Sequence, residues 1–294
     1  MFRLIKAEAY VLFKTKAFRV LCVIALLIAF MTIGISKLMS SEDFIKSSLK
    51  GMTTQQQEQF MKSLQSKDSD PIVSSGSGMG IHIQAKDIFH PTGKEIFHSA
   101  FGSGVMEILL SVLVGAMVAK EYSSGTIKNI LAYGKKREQY YIAKLLACTI
   151  GFAVMLAIIL FVTAIEVCAI FGWGSSFNVQ EALGIVEIFL AATVLGMAII
   201  ALLMLVATLF KSNGATIGIG IVGFTILPTV FSFLYGKYSW FDKLYESTTS
   251  YNWALATSVR AADNDVLKAS IVGIITLIIA SSAGIFIFKK QDIK

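Results

Sequence analysis

Three glutamates stand inside long apolar runs: Glu107 in "VMEILLSVLVGAMVA", Glu166 in "LFVTAIEVCAIF" and Glu187 in "LGIVEIFLAATVLG". A carboxyl group placed in hydrocarbon is expensive and often marks a substrate or ion path. No Lys or Arg falls inside these runs to neutralise them. One reading has the three line an outward vestibule that favours a cationic or amphipathic molecule. The plainer one has them protonated, snorkelling to the interface or hydrogen-bonding between helices. The histidines His82, His90 and His98 all lie in one polar stretch, where Asp87/His90 and Glu95/His98 sit three residues apart. That spacing suits two metal ligands on a helix, but Pro91 and Gly93 interrupt any helix joining the pairs. Surface histidines and no metal site are expected. Cys22, Cys148 and Cys168 are scattered through apolar runs, with neither disulfide nor metal spacing. No nucleophile–base pair, dinucleotide fingerprint or G-x-x-x-x-G-K-[ST] phosphate loop occurs, so the chain is not expected to be an enzyme or to hydrolyse ATP.

A second constellation is denser. "AKEYSSGTIKNILAYGKKREQYYIAKLL", residues 119–146, gathers Lys120, Glu121, Lys128, Lys135, Lys136, Arg137, Glu138 and Lys144 between two apolar runs. Ser123 or Ser124 can cap a helix start. Ile127, Ile130 and Leu131 then form a short apolar stripe, and Gly134 suits the left-handed position that ends a helix. Such a helix, held out in water, needs a surface to bury its stripe against. That surface is either a partner or the chain's own membrane domain.

The elements that carry these residues are set by composition. In 294 residues, 55% are hydrophobic, 15% are charged and three are proline; mean hydropathy is +0.70. Apolar runs of about 20 residues are what a bilayer requires. The reading is an all-α membrane protein with six spans at 18–38, 99–119, 144–171, 183–209, 214–235 and 269–288. Lys and Arg near the span ends collect on one side, at residues 1–19, 120–144, 211 and 289–294, which places both termini and the 119–146 segment in the cytoplasm. The net charge of +7 is thereby explained by membrane orientation, and nucleic acid is excluded as a partner. Residues 1–17 read as a cytoplasmic interfacial helix. Residues 39–98 form an outer loop with short helices, capped at Thr54 and Gln57 and followed by the "SSGSGMG" link at 74–80. The aromatic 236–268 segment lies at the outer interface.

Residues 119–146 resemble the cytoplasmic loop between the second and third spans of type-2 ABC exporter permeases. Those loops read acidic–aromatic–x–x–Gly–Thr, an apolar turn, then a basic cluster before a Lys-Leu-initiated span. The matching positions are Glu121, Tyr122, Gly125, Thr126, Ile127, Leu131, Arg137, Lys144 and Leu145. The six-span layout and N-terminal helix extend the resemblance over most of the chain. Within the family the chain is similar to peptide and antibiotic exporter permeases, such as those for phenol-soluble modulins or bacteriocin immunity. The resemblance implies a coupling helix, with Glu121, Tyr122, Gly125, Thr126, Ile127, Lys128, Ile130, Leu131 and Arg137 docking on a separate ABC ATPase subunit. That partner holds ATP and Mg, and this chain binds no cofactor. It further implies a second permease copy, as homodimer or paralogue, export across a bacterial plasma membrane, and a pathway near spans two and five.

Small residues mark packing faces: Gly214 and Gly218, continued by Gly223, in the fifth span, and Ala280 and Gly284 in the sixth. Pro228 removes one ladder bond and is expected to kink the fifth span. The competing function is a proton- or cation-coupled carrier or channel using Glu107, Glu166 and Glu187. It would require an inverted internal repeat, and none is visible between residues 1–143 and 144–294.

Overall fold

Apolar runs fold as helices because a helix satisfies its own backbone within the segment. The computed structural model describes residues 1–65, 84–85, 87–102, 104–127, 136–174 and 177–291, and among these it contains helices and no strand. Five helical stretches are long and apolar enough to cross a bilayer: Lys16–Met39, Arg137–Ile170, Val179–Phe210, Asn213–Ser232 and Asp263–Lys290.

The N-terminal helix α1 (Phe2–Lys14) breaks at Thr15, and α2 (Lys16–Met39) follows at once. One face of α1 buries Glu8 and Leu12, while Phe2, Tyr10, Val11 and Phe13 stay exposed. An exposed apolar face beside a buried one is what a helix lying at a membrane surface needs. Outer helices α3 (Glu42–Ser48) and α4 (Thr54–Gln65) follow. The amide and hydroxyl of Thr53 both donate to Gln56 Oε1 at 3.1 Å. The cap therefore sits one residue before the expected Thr54/Gln57, because the helix begins at Thr54 itself. The 74–80 link and His82 lie outside the described residues.

The second apolar run departs from a single span over 99–119. It forms a short helix α5 (Gly93–Ser99), a break, then α6 (Val105–Val114), a π turn (Gly115–Ala119) and α7 (Lys120–Ser123). The break falls at Gly104, whose φ of 80° is open to glycine and strained for other residues. Helix α5 starts on a capping box: the Thr92 hydroxyl accepts from the Glu95 N–H and the Glu95 carboxylate accepts from the Thr92 N–H.

The core is built by α8 (Arg137–Ile170), α9 (Val179–Phe210) and α14 (Asp263–Lys290), with α2 and α1 packed on α8. Helix α8 begins about two turns before the expected span start at residue 144, which carries Lys144 inside it. Between α9 and α14 run α10 (Asn213–Ile221), a π turn (Val222–Ile226), α11 (Leu227–Ser232), α12 (Ser239–Glu246) and α13 (Thr249–Ala256). The π turn lies directly ahead of Pro228, where the helical ladder lacks a donor.

The aromatic outer segment divides in two. Tyr238 and Trp240 are exposed, as an interfacial segment should be, whereas Trp253 on α13 is buried and donates its indole N–H to the Phe101 carbonyl at 3.0 Å. That bond satisfies a carbonyl freed by the break between α5 and α6.

Candidate functional site

At the end of the bundle nearest both termini, Lys144 sits on α8 with its side chain 0% exposed. Its ammonium lies 2.6 Å from Glu8 of α1 and 2.6 Å from Glu121 of α7. Tyr140, one turn earlier on α8, donates its hydroxyl to Glu121, and its ring centroid is 5.7 Å from the Lys144 ammonium. A buried charge costs several kcal/mol unless it is paired and hydrogen-bonded. Here one cation between two carboxylates meets that condition and fastens three elements at one point.

Around this junction lies a second set of contacts. The Tyr122 hydroxyl is 3.2 Å from the Thr208 hydroxyl on α9. Gln291 Nε2 donates to the Thr208 carbonyl at 2.8 Å. Arg137 donates to the carbonyls of Phe288, Lys289 and Gln291 at 3.1, 2.9 and 2.6 Å, closing the end of α14, where a cation complements the helix dipole. Glu138 pairs with Lys289. Phe288, fully buried, packs its ring against Tyr122, Tyr140 and Tyr141. The polar segment is thus anchored to α1, α9 and α14 together.

Residues 83–227 match the family model described as ABC-2 family transporter protein. The match supports an ABC-2 type permease. No curated protein matches the chain. With several apolar helices, the match supports a multi-pass membrane protein acting as a transport component, a role generally non-catalytic. The family also implies association with an ABC ATPase subunit. The matched segment contains Glu121, Tyr140 and Lys144 of the junction, and Glu8 reaches it from outside.

Among the coupling residues expected of the permease, Glu121, Tyr122 and Arg137 come together at this junction. Gly125 turns the chain with φ +71°, and Thr126 is exposed, 2.8 Å from the Ser124 hydroxyl. Ile127 is 1% exposed and belongs to the chain's own core. Its part of the stripe is therefore buried within the chain rather than offered outward. Lys128, Ile130, Leu131 and Gly134 lie outside the described residues. Sequence reasoning missed Glu8, Tyr140 and Gln291, and read Lys144 only as the basic start of a span. A signal for Glu8 existed: it is the lone acidic residue among the first 41, one helical turn from Leu12.

The three glutamates are separate. Glu107 is 1% exposed, and Glu107 Oε2 and Glu166 Oε2 are buried with no hydrogen-bond partner. Glu187 lies on the wall of a cavity of about 190 Å³ that includes neither of the others. Among the described residues no hydrogen bond or ion pair links the three. Gly223 and Pro228 line a different cavity of about 270 Å³ with Phe224 and Tyr245.

A Cβ at Gly214, Gly218 or Gly223 would meet nothing within 4 Å. The close approaches between the second and fifth runs fall elsewhere. A Cβ on Gly115 would lie 2.6 Å from Asn213 Oδ1, and one on Gly220 would lie 2.3 Å from Ser111 Oγ. Asp87 and His90 form an exposed pair at 3.1 Å. Among the described residues no group of three His, Cys, Asp or Glu is placed to hold a metal.

Proposed function

We propose that this chain is the permease subunit of an ATP-driven ABC exporter, moving an amphipathic or hydrophobic substrate out of the cell. A peptide toxin, an antimicrobial peptide or an antibiotic is the cargo class. Both termini and residues 119–146 face the cytoplasm of a bacterial plasma membrane, and the described helix Val105–Ser123 serves as the sixth span. ATP and Mg sit on a partner ATPase, and two permease copies make the working unit.

The observation that carries this reading is the junction at the foot of the polar segment, whose Glu121, Tyr140 and Lys144 fall inside the ABC-2 match. The segment is hung from Glu121, which is tied through Lys144 to α8 and through Glu8 to α1. A push on the loop from an ATPase groove would move α1, α8 and α14 as one body, because breaking any of the buried charge contacts exposes an unpaired ion. Packed interfaces of this kind move as units rather than deform continuously.

Co-expression with an ABC ATPase subunit from the same organism tests the reading. The ATPase co-purifies with the wild-type permease, and Ile130→Asp with Leu131→Asp abolishes both co-purification and export. Persistent binding and export in that variant would remove the docking role from the stripe. A proton-coupled carrier would draw on the buried, unpartnered oxygens of Glu107 and Glu166. Export that ran in proteoliposomes without the ATPase, and stopped in Glu107→Gln, would favour it.

A further inference from the structure

At the end of the bundle away from the ionic junction, a cavity of about 190 Å³ opens between α5, the start of α9 and the start of α14. Phe97, Trp173, Ile185 and Ile188 supply its apolar wall. Its charges are Lys94 against Glu181, Glu187 and Asp263. Lys94 is already spent, because its ammonium lies 2.9 Å from Glu181, whose carboxylate also accepts from the Trp173 indole. Glu187 and Asp263 are exposed at the cavity with no ion pair among the described residues.

His98 adds the deciding feature. It lines the cavity, is 5% exposed, and has Nδ1 3.0 Å from the Thr257 carbonyl. A carbonyl only accepts, so Nδ1 carries the proton and Nε2 presents a lone pair. Burial holds the ring's pKa down to about 4, so it is neutral near pH 7. Nε2 has no hydrogen-bond partner among the described residues. That leaves an acceptor on the cavity wall, and the two spare groups lining the same cavity, Glu187 and Asp263, are acceptors as well.

We infer that this cavity binds the protonated amino group of an amphiphilic amine, with His98, Glu187 and Asp263 accepting its N–H donors and the apolar wall taking the adjoining carbons. An anion is excluded by the carboxylate excess. A chelated metal lacks its ligand set among the described residues. An ammonium brings donors in several directions and one positive charge, and the Trp173 ring adds a cation–π surface. The volume is below the 300–1,000 Å³ usual for drug-sized ligands, so the cavity takes a head group while the rest of the molecule lies outside. A transported amphiphile and a membrane aminophospholipid offer the same chemistry. The inference deepens the exporter reading by naming a substrate chemistry, but binding itself requires neither ATP nor the ATPase.

The test uses the full chain in phosphatidylcholine nanodiscs, titrated calorimetrically with 2-phenylethylamine and with neutral 2-phenylethanol. The amine binds saturably, the alcohol at least tenfold more weakly. Glu187→Gln with Asp263→Asn, both surface changes, weakens the amine at least tenfold, the loss expected for removing charged acceptors. His98→Asn, checked for unchanged melting, weakens it similarly. Equal binding of amine and alcohol, or undiminished amine binding in the double variant, overturns the inference. Repeating the titration with phosphatidylethanolamine in the disc separates the sources. Competition assigns the head group to a lipid, and its absence assigns it to a free amine; either supports the site. Failure here would leave ATPase co-purification, and so the exporter reading, untouched.

Discussion

Glu8 and Lys144 lie 2.6 Å apart, joining the first helix of the chain to the long helix that follows the polar segment. Lys144 bridges onward to Glu121, so removing the cation strands two carboxylates in one buried place. Lys144→Met is expected to destabilise the subunit by about 3–5 kcal/mol, and Glu8→Gln by less because Glu121 remains as a partner. Thermal unfolding in detergent measures both. The triple variant Glu8→Leu, Glu121→Leu, Lys144→Met is expected to recover most of the stability, since apolar replacement of buried ions is often neutral. It should not recover stimulation of the partner ATPase by substrate. Full stimulation in the triple variant would reduce the junction to a packing device.

Ile127 separates folding from docking. Its side chain is buried within the chain's own core, so Ile127→Asp should lower the melting temperature of the isolated permease. Burial of an unpaired polar group costs about 2 kcal/mol or more. Ile130→Asp with Leu131→Asp should leave that melting temperature nearly unchanged while abolishing ATPase binding.

Helices α8 and α9 approach at Gly196, where an added Cβ would lie 2.1 Å from the Phe152 ring. Gly196→Ala therefore forces a shift in a packed core, with an expected loss of about 1–3 kcal/mol. Phe152→Leu also costs stability alone, but it makes room for the new methyl. The double variant should lose clearly less than the sum of the two single losses. Strict additivity would mean that the ring yields without help.

His98 sets a pH dependence of known sign. Its folded pKa is lowered to about 4 by burial, against an ordinary value of 6.5. The unfolded chain thus binds the extra proton first. The stability this contributes is complete above about pH 6.5 and is lost as pH falls toward 4, by up to about 3 kcal/mol. Melting temperatures from pH 7 to pH 4 should fall more steeply for the wild type than for His98→Asn. Parallel curves would contradict the assignment.

Gly214 and Gly218 face open space on α10, where a Cβ would touch nothing. Gly218→Ala is therefore expected to leave the subunit's own stability unchanged or slightly raised. If a second copy packs on this stripe, Gly214→Leu with Gly218→Leu should abolish cross-linking between copies without lowering monomer stability. Undiminished cross-linking would move the dimer contact elsewhere.

The membrane character and most helical stretches were legible in the sequence because each depends on local properties. An apolar run of sufficient length becomes a helix whatever surrounds it, and Glu121 announced itself as an acid at the edge of a run. Other features depend on which residues meet. Gly214, Gly218 and Gly223 carried the small-residue spacing, yet Gly115 and Gly220 make the close approaches, because spacing along one helix does not say which face meets a neighbour. The second run looked uniform, but it breaks at Gly104, and the Phe101 carbonyl is taken by Trp253.

Taken alone, then, the residue order determined a helical membrane chain with one polar island and a handful of isolated carboxyl groups. Tertiary structure decided their partners. It carried Glu8 to Lys144, turned Ile127 inward, left Glu107 and Glu166 each with a buried oxygen lacking a hydrogen-bond partner, and set Glu187 on one cavity wall with His98 and Asp263. The physical reason is range. Hydropathy and helical period act over a few turns of chain, whereas ion pairs and cavities form between residues that only packing brings within a few ångströms.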